Sequence, residues 1–173
     1  MNQTVTSPAT KGFLLGLILI IIALATYFSG IKLSGGIQWL GYIIFLAGII
    51  FCISQYGKQI NYSATFGNYF SHGFKITAIV TVIMIIYVVI FILLFPEFKD
   101  KAMEEARKNM QEKNLSEEQM DKAVEITQKF FTTFLIAGTL FGYIILGAIA
   151  SLIGAAITKK NPNNFQAQTD QPA

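Results

Sequence analysis

Residues 96–129 read PEFKDKAMEEARKNMQEKNLSEEQMDKAVEITQK, and the contrast between this stretch and its surroundings decides the fold. It holds nine of the ten acidic residues and seven of the thirteen basic ones. Everywhere else the chain carries six basic residues and one acid, Asp170. Soluble domains average about 25% charged residues, whereas this chain has 13% charged and 53% hydrophobic residues. A water-facing surface cannot be built from the parts flanking 96–129. The reading is all-α: a polytopic membrane protein with four transmembrane helices and an extramembrane helical hairpin between helices 3 and 4.

Within 96–129 the charges follow helical spacing. Glu97–Lys101, Glu104–Lys108, Glu118–Lys122 and Glu125–Lys129 are i,i+4 pairs with the acid on the N-terminal side, the favourable order. Met103, Ala106 and Met110 form one narrow apolar stripe, and Met120, Ala123, Val124 and Thr127 form another. Between them, Asn114-Leu115 is a turn, and Ser116-Glu117-Glu118-Gln119 matches a capping box in which Ser116 and Gln119 bond each other's backbone. Leu115 and Met120 are spaced for a hydrophobic staple across it. Two antiparallel amphipathic helices are expected, the second running on into the fourth span.

Working outward, the spans fall at about 12–29, 37–54, 73–95 and 130–157, all but free of charge. At about 1.5 Å per residue, some twenty residues cross the hydrocarbon layer. The first has the layout of a signal peptide, but Thr26-Tyr27-Phe28 continues the apolar run past Ala23-Leu24-Ala25, so an uncleaved span is expected. Tyr27, Phe28, Trp39 and Tyr42 gather at one face as an aromatic belt. The stretch 62–72 places Tyr62, Phe66, Tyr69 and Phe70 on one side, as in a helix lying at the interface. Residues 1–10 read as a loose leader, and 161–173 as a disordered tail.

Small residues recur where membrane helices approach closely. Gly12 and Gly16 on the first span face Gly41 and Gly48 on the second in this reading. Gly138 and Gly142 make a GxxxG pair on the fourth span, extended by Gly147 and Ser151. These seams and the hairpin are the candidate interaction surfaces, for the lipid bilayer, a second copy or another membrane protein.

The chemistry is thin. No span interior carries an ionisable residue, which argues against a coupled pump or transporter. Cys52 and His72 are each the sole residue of their type, nothing in the sequence orients the histidine, and both are read as structural. The hairpin acids each have a basic neighbour one turn away and lack the Glu-x-x-His of a bundle metal site. No metal, cofactor or catalytic residue is expected, and no nucleic-acid partner, because the basic surplus sits at span ends. A non-enzymatic interaction or structural component is the leading expectation. A passive path formed by oligomerised spans is the alternative. The lysines at Lys11, Lys58, Lys75, Lys159 and Lys160 favour cytoplasmic termini and an external hairpin.

Thr65-Phe66-Gly67, followed by Phe70, Gly73 and Phe74 ahead of an Ile/Val-rich span, resembles the family of the domain of unknown function numbered 4199. The run from Leu146 to Lys160 (LGAIASLIGAAITKK) is similar to that family's glycine-rich last span with its lysine stop. The charged hairpin between the third and fourth spans fits as well. The resemblance covers Lys11 to Lys160. It implies a small four-span protein of a Gram-negative inner membrane, mostly in Bacteroidota, and it carries no established activity.

Overall fold

The computed structural model describes residues 5–29, 39–112 and 116–161. Five helices form the described chain: α1 (Pro8–Phe28), α2 (Leu40–Gln59), α3 (Phe66–Leu94), α4 (Glu97–Glu112) and α5 (Glu117–Ile157). The described residues include no strand. Four of the helices, all but α4, are long and apolar enough to cross a membrane. This is a multi-pass all-α membrane protein. Helices suit that medium because every backbone N–H and C=O of the segment is satisfied internally. The turn at Asn114-Leu115, and with it the staple from Leu115, lies outside the described residues, as do Lys32 and most of the tail.

Three boundaries differ from the sequence reading. Residues 8–10 are the first turn of α1, not leader: Ser7 Oγ accepts from the Thr10 N–H at 3.1 Å, and Pro8 occupies the first helical turn. Proline is preorganised there, where its missing N–H would be unsatisfied anyway. α2 continues through residue 59, five past the expected end, because Ser54–Gln59 keeps helical bonding and places Lys58 in the last turn, the favourable end for a cation. There is no separate interfacial helix at 62–72. Thr65 Oγ1 accepts from the Asn68 N–H at 3.3 Å, and α3 then runs unbroken for 29 residues. Tyr62 lies outside it, in a turn where Asn61 and Tyr62 take positive φ of 52° and 59°.

The chain forms two compact units, one of residues 1–83 with 142–173, the other of residues 84–141. In the first, Leu15 and Leu19 of α1, Phe45, Ile49 and Ile53 of α2, Tyr69, Ile76 and Val80 of α3, and Ala150 and Ala155 of α5 are buried. Phe13, Leu17 and Ile21, one face of α1, are exposed, as are Ile43 and Phe51 of α2. Apolar side chains on both faces are what a lipid surround permits, so burial between helices depends on close approach and not on hydrophobicity alone.

The second unit is the region of α4 and the adjoining parts of α3 and α5. Phe95 and Pro96 separate α3 from α4, since proline cannot continue the helical ladder. Phe91 packs edge-on against Phe98, their centroids 5.3 Å apart, and Phe98 meets Phe131 at 6.4 Å. Met120 is buried in the same unit. α5 is one continuous helix of 41 residues.

Candidate functional site

The small-residue positions divide into filled and open sets. A Cβ on Gly12 would lie 2.9 Å from Ile79, and one on Gly16 would lie 3.0 Å from Ile83. Both glycines therefore seat α1 on α3, where the sequence reading had set them against Gly41 and Gly48 of α2. Gly48 instead receives Leu15 of α1, whose Cδ1 would stand 2.5 Å from a Cβ there, and Gly41 has nothing within 4 Å among the described residues. The reason is facing: Lys11, Gly12, Leu15, Gly16 and Leu19 form the buried side of α1, so the bulky Leu15 fills α2's gap while the glycines accept α3's isoleucines. Gly147 of α5 closes on the Thr77 side chain of α3, and Ser151 is buried, its Oγ bonded to the Gly147 carbonyl at 2.7 Å. Among the described residues, Gly142 has the Tyr42 hydroxyl at 4.0 Å and Gly138 has nothing within 4 Å.

The hairpin obeys its local rules. Ser116 N–H donates to Gln119 Oε1 at 3.3 Å, and Gln119 N–H donates to Ser116 Oγ at 3.4 Å, the reciprocal capping box. Lys108–Glu104 and Lys122–Glu118 pair at 2.6 Å along their own helices. Lys108, donating to the Glu104 carboxylate, holds that carboxyl below the usual range. Arg107 of α4 additionally bonds Asp121 of α5, a cross-helix pair that i,i+4 spacing could not reveal. Among the described residues no group of three His, Cys, Asp or Glu gathers as metal ligands would.

A second candidate lies where α1 and α3 begin and α2 ends, all within the first unit. Lys11 is 5% exposed, and its Nζ donates to the Cys52 carbonyl at 3.2 Å. The same Nζ stands 5.9 Å from the ring centre of Tyr56, one turn on from Cys52. Tyr56 in turn stacks on His72 with centroids 3.9 Å apart and planes 7° from parallel, and meets the buried Tyr69 edge-on at 5.9 Å. His72 is 6% exposed and its Nε2 has no hydrogen-bond partner among the described residues. One rim contact closes this end: Thr6 and Gln59 exchange bonds of 3.2 and 3.0 Å.

Lys11 and His72 thus depart from their reading as a flanking charge and an interfacial residue; both are in helices and buried. The signal for Lys11 was present, because positions 11, 15 and 19 repeat every fourth residue on the face that also holds Gly12 and Gly16. His72 falls in the stretch that reads as an interfacial helix, and no periodic signal there marks it as buried.

A family model described as protein of unknown function (DUF4199) matches residues 10–160. The chain belongs to the DUF4199 family. No curated protein and no solved structure matches it. The DUF4199 match opens one residue before Lys11 and closes at Lys160, so it takes in α1 from its third residue, the whole of α2 to α5, and the Lys11–Tyr56–His72 cluster.

Proposed function

We propose that this DUF4199 protein is a non-enzymatic interaction component of the membrane, assembling with a second copy through the Gly138 face of α5 and offering the α4–α5 hairpin to a protein partner. The observation that carries this is the contrast among glycines. Those at Gly12, Gly16, Gly48 and Gly147 are each occupied by a neighbouring side chain, while Gly138, which with Gly142 makes the GxxxG pair, is open among the described residues, as is Gly41 near the start of α2. An open small-residue face lets a second backbone approach closely enough for van der Waals contact, the main attraction available between helices in lipid. The hairpin supports the second half of the proposal. Its ion pairs are solvent-exposed, so it presents a charged surface to water.

The test is self-association of the full chain in detergent and in vesicles, by crosslinking or energy transfer between labelled copies. Gly138→Ile should weaken the dimer, and identical crosslinked species before and after the change would overturn the reading. The same proposal sets the protein in a bacterial inner membrane with cytoplasmic termini and a periplasmic hairpin. A Cys52→Ser, Asn109→Cys variant should label from the periplasmic side of intact cells; labelling from the cytoplasm alone would reverse the orientation.

A further inference from the structure

Burying an ammonium without a counter-charge costs several kcal/mol, so Lys11 calls for an explanation. The first unit supplies no acid among its described residues; its single carboxylate side chain in sequence is Asp170. The other charges at this end are also cations: Lys58 and Lys75 on α2 and α3, and Lys159 and Lys160 after α5, all exposed. Such a one-signed set raises the local concentration of anions. Lys11 Nζ uses one of its three N–H groups on the Cys52 carbonyl, leaving two. His72 Nε2, buried and unpartnered, is a further donor when that nitrogen bears the proton. Tyr56 touches both, its ring face held by His72 and its centre 5.9 Å from Nζ.

We infer that Lys11 and His72, both packed against Tyr56, form a binding site for a small monovalent anion of chloride or carboxylate size. The charge comes from Lys11, the second donor from His72 Nε2, and the orientation of the imidazole from the Tyr56 stack. Near-complete burial of both donors limits the ligand to a few atoms.

The probe is chloride itself, added to the purified full chain in detergent at constant ionic strength with gluconate in replacement. Saturable radiochloride binding, with a thermal midpoint rising over the same concentration range, is expected for the wild type. Lys11→Met removes the charge, and His72→Phe removes Nε2 while keeping a ring for Tyr56; each should weaken binding about tenfold or more. Lys11→Arg, which retains the charge, should keep binding even if the methionine variant fails to fold. No saturable binding in the wild type, or wild-type affinity in Lys11→Met or His72→Phe, overturns the site. Displacement of chloride by phosphatidylglycerol but not by acetate would assign the cluster to a lipid headgroup and equally overturn it.

Discussion

Gly147 of α5 and Thr77 of α3 approach so closely that a Cβ on the glycine would overlap the threonine's Cγ2 and Oγ1. Threonine is branched at Cβ and stiff about χ1, so it cannot swing aside. Gly147→Ala should therefore destabilise the protein by about 1–3 kcal/mol, the usual cost of overpacking. Gly41→Ala, placed where a Cβ meets nothing among the described residues, should be neutral or stabilise by up to about 1 kcal/mol through helix propensity. Thermal unfolding of the two variants in one detergent tests the contrast, and equal midpoints would contradict it.

Ser116 and Gln119 cap α5 reciprocally, at a helix start that is exposed and little supported by packing. Ser116→Ala should cost about 1 kcal/mol locally. Amide hydrogen exchange over Glu117–Lys122 should accelerate in that variant, while Ser116→Asp, which keeps an acceptor, should leave it near the wild-type rate.

Glu104 is held below the ordinary carboxylate range by the hydrogen bond and charge of Lys108. A carboxyl lowered in the folded state contributes stability above its unfolded pKa of about 4.3, and loses it as pH falls through the folded value. Lys108, raised by the same bond, contributes below its own unfolded value and loses that only in strong alkali. The pair is thus constant near neutrality and fades in acid. Carboxyl-carbon titration by NMR should place Glu104 lower in the wild type than in Lys108→Gln, and coincident midpoints would show that the bond does not form in solution.

Arg107–Asp121 joins α4 to α5 with side chains 53% and 67% exposed. Exposed pairs are worth about 0.2–1 kcal/mol and are screened by salt. A double-mutant cycle with Arg107→Gln and Asp121→Asn should return a coupling in that range at low salt, shrinking as salt is added.

Tyr56 holds His72 by ring stacking. Tyr56→Phe keeps the ring and should leave thermal stability close to wild type. Tyr56→Ala loses both packing and a stack worth about 0.5–1.5 kcal/mol, so its midpoint should fall clearly below that of the phenylalanine variant.

Much of this was legible in the chain because it follows rules of short range. The apolar runs marked four membrane-crossing helices, and the switch to i,i+4 charge spacing after Pro96 marked the hairpin. The Ser116–Gln119 box is a matter of four residues and their own backbone. Caps and breaks were less legible when a residue's composition was weighed ahead of its position. Pro8 and Ser7 looked like leader but start α1, and the stretch 62–72, which reads as an interfacial helix of its own, belongs from Phe66 onward to α3, capped by Thr65.

What the sequence by itself determined is the number of membrane helices, the charged hairpin and its cap. Each depends on hydropathy or on contacts within one turn. Only the tertiary structure decided which neighbour each helix face meets: Gly12 and Gly16 on α3, Leu15 in the gap of Gly48, Arg107 on Asp121, and Lys11 inside beside Tyr56 and His72. The physical reason is that a helix in lipid is apolar on every side. Its periodicity therefore does not distinguish the face that packs from the face that meets lipid, and side-chain shape settles the matter only when the helices are brought together.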